Sequence, residues 1–154
     1  MRKRIFGRKL KRDKNERKAL FRSLMISLVL HGKIRTTEAK AKSIKGDVEK
    51  LVTVAKNKGE DAKGQVLARM VNEFATDKLI KEIAPLFSSR PGGYTRIVRL
   101  GERGRDGAGM VLLSWVETVP VTSLKPEKRN KNKKEKVKAL APAKETKAKE
   151  EKGL

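Results

Sequence analysis

The chain contains no cysteine, a single histidine and no long apolar run. Without thiols it can form no disulfide, no thiolate metal site and no cysteine nucleophile; a cytosolic protein needs none of these. His31, standing alone, cannot serve a site that requires two imidazoles. The longest largely apolar stretch, Leu24 to Leu30, falls far short of the roughly 20 residues of a membrane helix. A Gly-x-x-x-x-Gly-Lys-Ser/Thr phosphate loop is also missing, which excludes that form of mononucleotide binding.

What is abundant is positive charge. Of 154 residues, 40 are Lys or Arg and 18 are Asp or Glu, a formal net charge of +22. Residues 1–22 hold 11 basic and 2 acidic side chains, net +9, and residues 120–154 hold 12 and 5, net +7. The middle section, 23–119, carries only +6 and is long enough for one domain with a modest core. A compact chain so far from neutrality repels itself unless a polyanion binds, so nucleic acid is the first expected partner and anionic membrane the second. A basic start followed by Leu24–Leu30 loosely imitates a targeting signal. Asp13 and Glu16 interrupt that basic region, and His31-Gly32-Lys33 stands where a small-residue cleavage site would be. The expectation is a core helix in a cytoplasmic protein.

Residues 1–12 carry seven cations, no acid and too few apolar side chains to bury a face, so they read as an arm that does not fold alone. A first helix is expected from Asp13, whose spacing to Glu16 is that of a capping box. Leu20, Leu24 and Leu28, with Phe21 and Met25, form its apolar stripe, and Gly32 ends it. Lys33-Ile34-Arg35 is a short extended segment. Thr36 or Thr37 caps a second helix that buries Ala41, Ile44, Val48, Leu51, Val52 and Ala55 and stops at Asn57-Lys58-Gly59. A third helix takes Val66, Leu67, Met70, Val71 and Phe74. After a break near Thr76-Asp77, a short fourth one holds Leu79, Ile80 and Ile83, closed by Pro85.

The period then changes. Tyr94 to Leu100 and Met110 to Glu117 are β-rich and joined by glycine-rich residues 101–109, the pattern of an antiparallel hairpin. Thr95 and Ile97 would share a face with Val111, Leu113 and Trp115, and Ile34 offers a third strand. From Pro120 the composition collapses to Lys, Glu, Ala, Pro, Thr and Asn without an aromatic ring. Such a tail lacks the apolar area to offset chain entropy and is expected to be disordered when free.

Candidate nucleic-acid contacts follow from charge clustering. The arm offers Arg2, Lys3, Arg4, Arg8, Lys9, Lys11 and Arg12, and the arginines matter because guanidinium forks onto phosphate and stacks on bases. The first helix adds Arg17, Lys18 and Arg22, with Lys18 and Arg22 on one face. His31, Lys33 and Arg35 lie at its end and just beyond. Arg90-Pro91-Gly92-Gly93-Tyr94-Thr95-Arg96 sets two arginines and a tyrosine around exposed amides, and Arg99, Arg103 and Arg105 repeat the combination. A turn into a strand accounts for the glycines and proline, but not for the arginines.

These blocks, in this order, resemble the bacterial large-subunit ribosomal protein L17 family. The resemblance rests on Gly7-Arg8-Lys9-Leu10 with Arg12, Arg17-Lys18-Ala19-Leu20 with Arg22, and His31-Gly32-Lys33-Ile34 with Thr36-Thr37. It continues through Ala39-Lys40-Ala41-Lys42, Glu49-Lys50-Leu51-Val52-Thr53 and Arg90-Pro91-Gly92-Gly93-Tyr94-Thr95-Arg96-Ile97, covering residues 1–119. The chain departs at Lys3 and Glu16, where the family usually has histidine. The resemblance implies a structural, non-enzymatic protein bound to large-subunit ribosomal RNA near the peptide exit tunnel. Neighbouring large-subunit ribosomal proteins lie beside it; no cofactor, small-molecule substrate or membrane is involved. The expected fold class is α+β: a helical bundle packed on a small antiparallel β-sheet, with a basic N-terminal arm (1–12), a globular domain (13–119) and a disordered C-terminal tail (120–154). The alternative reading is a nucleoid-type DNA-binding protein, against which no recognition-helix pair stands out.

Overall fold

A computed structural model describes residues 8–104 and 106–119. Helix α1 spans Lys14–His31. Asp13 precedes it in extended geometry and forms the expected capping box with Glu16, its N–H donating to Glu16 Oε2 at 3.4 Å. Gly32 ends the helix with φ +72, a conformation an L side chain would resist.

The buried residues of α1 are Met25, Leu28 and Val29, while Phe21 and Leu24 are only partly covered. The expected stripe is therefore rotated toward Val29. Its carbonyl end is closed by the rest of the fold. Trp115 Nε1 donates to Leu28 O at 3.3 Å, the buried Lys78 Nζ to Leu30 O at 3.0 Å, and the Trp115 amide to Gly32 O at 3.3 Å. Leu30 O and Gly32 O are thus satisfied from distant segments, and Leu28 O, already bonded to the Gly32 N–H, gains a second donor.

Strand β1, Lys33–Thr37, leads into α2, Glu38–Lys58. Thr37 is the cap residue, without a side-chain hydrogen bond. Ala41, Ile44, Val48, Val52 and Ala55 are buried as expected; Leu51 is only partly so. A 3-10 turn, Gly59–Ala62, joins α2 to α3, Lys63–Met70.

Here the expectation fails. The break falls at Val71-Asn72 rather than at Thr76-Asp77, and α4, Glu73–Lys78, starts anew. Asn72 is the reason: its Oδ1 accepts from the Ala75 N–H at 2.8 Å and its C=O accepts from Thr76 Oγ1 at 2.8 Å. Thr76 is consequently fully buried, whereas Val71 and Phe74, expected in the core, are exposed. The chain runs on through a π turn, Leu79–Ile83, into α5, Ala84–Leu86. Pro85 sits inside this last turn, one residue before the helix ends.

Strands β2, Thr95–Arg103, and β3, Ala108–Trp115, form the hairpin. Most of the glycine-rich stretch expected as a loop is strand, with a register shift between Arg99 and Gly101 that absorbs one extra residue. The sheet is antiparallel in the order β1-β3-β2, so Ile34 does bring a third strand. Its inner face presents Ile34, Val111, Leu113, Thr95 and Trp115 to the helices, and Phe87 and Tyr94 complete the core. Phe87 lies 5.1 Å from Tyr94 and 5.9 Å from Trp115 between ring centroids, at tilts of 56° and 45°. The class is α+β, helices packed on a small antiparallel sheet.

Candidate nucleic-acid interface

Two cationic faces emerge from this fold. The first follows the start of α1. Arg8, Lys9, Lys11 and Arg12 are exposed, and the Arg12 N–H donates to Lys9 O at 3.1 Å, closing a turn with Leu10 and Lys11 at positive φ. Lys18 is exposed one turn before Arg22, and Arg17 beside it is half-buried. Arg22 Nε donates to Arg69 O on α3 at 3.4 Å. That bond brings Arg69, 47 residues away in sequence, to the same rim; a depression of about 300 Å³ there is floored by Phe21 and Met25. Sequence reasoning missed Arg69 because no local pattern announces a contact over that separation.

The second face is the outer side of the sheet. Pairing aligns Lys33, Ser114 and Arg96 in one row, and Arg35, Leu112 and Val98 in the next. Since paired residues in a sheet share a side, Lys33, Arg35 and Arg96 stand together, with Arg96 Nε donating to Ser114 Oγ at 3.3 Å. His31 is exposed at the end of α1, next to this face in sequence.

Other cations are occupied internally. Glu38, at the start of α2, is shared: Lys42 Nζ sits 2.5 Å and Arg99 Nη2 3.8 Å from Oε1. Lys42, then Arg99 and Arg8, hold its carboxyl below the usual carboxylate range. Arg103 clasps Asp106 across the hairpin turn with two bonds, Nε to Oδ1 at 2.9 Å and Nη2 to Oδ2 at 2.5 Å. This fork lowers the Asp106 carboxyl from 3.8 to about 2. Arg90 pairs with Glu117 at 3.3 Å, and its carbonyl accepts from Lys56 Nζ at 2.8 Å. Ion pairs among the described residues thus engage Arg90, Arg99 and Arg103 and leave Lys9, Lys11, Arg12, Arg17, Lys18, Arg22, Lys33, Arg35 and Arg96 out.

Tyr94 is a correction. Its ring is 1% exposed and packed on Phe87, so it has no face to offer a base. The hydroxyl donates to Pro91 O at 3.3 Å and lies 3.3 Å from Thr53 Oγ1, which ties the Pro91-Gly92-Gly93 turn to α2. Its work is to position the turn between Arg90 and Arg96. Arg2, Lys3, Arg4 and Arg105 lie outside the described residues, as does the 120–154 segment. Among the described residues no cluster of metal-ligating side chains occurs, and no helix is long and apolar enough to cross a membrane.

The family model described as Ribosomal protein L17 matches residues 20–116, from within α1 to the end of the sheet. A large ribosomal subunit protein bL17 from Carboxydothermus hydrogenoformans is 51% identical over 109 residues, 71% of this chain and 97% of the relative. The bL17 of Thermomicrobium roseum is 47% identical over 116 residues, 75% and 99% of the two chains. That of Clostridium botulinum is 45% identical over 109 residues, covering 71% and 96%. The matched region holds the packed core together with Arg22 of α1 and the cations of the sheet, and on that extent of match and identity the chain belongs to the Ribosomal protein L17 family.

Proposed function

We propose that the protein is a structural constituent of the large ribosomal subunit, binding large-subunit ribosomal RNA near the peptide exit tunnel, beside other ribosomal proteins in the cytoplasm. Family membership makes it a ribosomal protein and not an enzyme. Nothing favours the nucleoid reading. The RNA contacts are assigned to the arm (Arg2, Lys3, Arg4, Arg8, Lys9, Lys11, Arg12), to Arg17, Lys18 and Arg22 on α1, and to His31, Lys33, Arg35 and Arg96 at the sheet. Arg90, Arg99, Arg103 and Arg105 join them around the hairpin; Arg69 is added and Tyr94 removed.

One observation supports this most directly. Arg17, Lys18 and Arg22 on α1 and Lys33, Arg35 and Arg96 on the outer sheet face stand out of the ion pairs among the described residues, while Lys42, Lys45 and Lys63 on α2 and α3 are held by carboxylates. Keeping charge unneutralised on a +22 chain is destabilising in isolation and becomes favourable against phosphate. The globular domain then acts as a rigid platform, and the cations of the arm neutralise RNA phosphates beside it. Cosedimentation with purified large ribosomal subunits after a high-salt wash tests the reading. The protein should stay with the particle; release at moderate salt, or equal retention on double-stranded DNA, would sink it.

A further inference from the structure

The α3–α4 junction exposes apolar surface that the fold itself does not use. Val71 is 62% and Phe74 49% exposed, and beside them Gly64, Leu67, Ala68, Val71 and Glu73 line a groove of about 560 Å³. Val71 also holds φ +55, a left-handed conformation that is an outlier for a β-branched residue. Glycine or asparagine would close the same turn with less strain.

Charge at this corner differs from the rest of the molecule. Residues 59–86 carry Glu60, Asp61, Glu73, Asp77 and Glu82 against Lys63, Arg69, Lys78 and Lys81, within a chain of +22. Lys78 is buried beneath α1, and Lys63 is held by Asp77 at 2.9 Å, with Glu73 and Glu60 adding to the negative field around it. The groove itself has Glu73 as its one charged lining residue, which disfavours phosphate there. A cationic polypeptide bearing an apolar side chain fits both properties.

We propose that the α3–α4 corner is a docking surface for a basic segment of a neighbouring protein. An apolar side chain of that segment sits over Leu67 and Val71 beside Phe74, and its lysine or arginine faces Glu73. The inference rests on the ribosomal reading, which supplies the particle in which such a neighbour is met.

The test uses the full-length protein with Phe74→p-benzoylphenylalanine, assembled into large subunits and irradiated, alongside Arg35→p-benzoylphenylalanine. Position 74 should yield a protein adduct whose cross-linked peptide is rich in lysine or arginine, and position 35 an RNA adduct. An RNA adduct at 74, a cross-link to a second copy or to residues 120–154 of the same chain, or no adduct at 74 while 35 labels RNA, overturns the docking surface and leaves the ribosomal reading standing. If the unsubstituted protein fails to enter the particle, both fall. Val71→Gly gives an independent measure, since it removes the side chain and relieves the strain. The free variant should melt higher than the parent, yet lose about tenfold in competitive incorporation, the scale of a truncated interface anchor. Undiminished incorporation overturns the proposal.

Discussion

Leu24 and Leu28 stand one turn apart on α1, yet only Leu28 is fully enclosed. Leu28→Ala should cost about 2–5 kcal/mol in chemical denaturation, because the lost contacts and the cavity add. Leu24→Ala should cost less than about 2 kcal/mol, since part of that side chain is already wet. Equal losses would mean that the face of α1 is misassigned. Tyr94→Phe keeps the ring packing and removes a hydroxyl that bonds Pro91 and Thr53, a loss of about 0.5–1.5 kcal/mol. RNA affinity should barely change, whereas a stacking tyrosine would behave in the opposite way. At the hairpin tip, Arg103 holds the Asp106 carboxyl at about 2, below its ordinary 3.8. A depressed folded value means the pair contributes fully above the ordinary value and is lost as pH falls from there through about 2. A carboxyl titration by NMR should show that midpoint, and Arg103→Ala should return it toward 3.8.

At the level of elements, the caps separate what was legible from what was not. Gly32 and Asp13 bound α1 as their residue types suggest, because both act within a few bonds of their own backbone. Asn72 acts just as locally, but it lies between Met70-Val71 and Phe74, whose apolar spacing simulates one continuous helix. Asn72→Ala should cost about 0.5–2 kcal/mol. Hydrogen exchange should show Ala75 and Thr76 losing protection first. A uniform change across the domain would mean that the side chain is not an independent cap. The hairpin was misjudged for a related reason: Gly101 and Gly109 look like loop residues, yet both sit in paired strands, Gly101 at the irregularity with φ +98.

For the whole molecule the decisive comparison is between the two ends. Deleting residues 1–12 removes seven cations and no acid. The salt dependence of RNA binding should then fall by several units, at roughly 0.7–0.9 per lost phosphate contact. Circular dichroism of the remainder should be nearly unchanged. Residues 125–154 mix five acids with twelve bases, Arg129 being the sole arginine. Such lysine contacts are screened within about 8 Å at physiological ionic strength. Removing 125–154 should leave incorporation into the large subunit intact, as competition between full-length and shortened protein during reconstitution would show. Exclusion of the shortened form as strong as for the arm deletion would make the tail a true RNA-binding element.

Composition alone pointed to a polyanionic partner, because +22 on 154 residues is a property of the chain whatever its shape. Periodicity and punctuation determined the order of helices and strands, since those signals act between residues a few positions apart. Only the tertiary structure decided which cations stay available and which are spent on Glu38, Asp106 or Glu117. It also decided that Tyr94 is core, that Arg69 joins Arg22, and that Val71 and Phe74 face outward. Each of those outcomes depends on packing between segments distant in the chain, and burial of that kind leaves no periodic trace in the residues it joins.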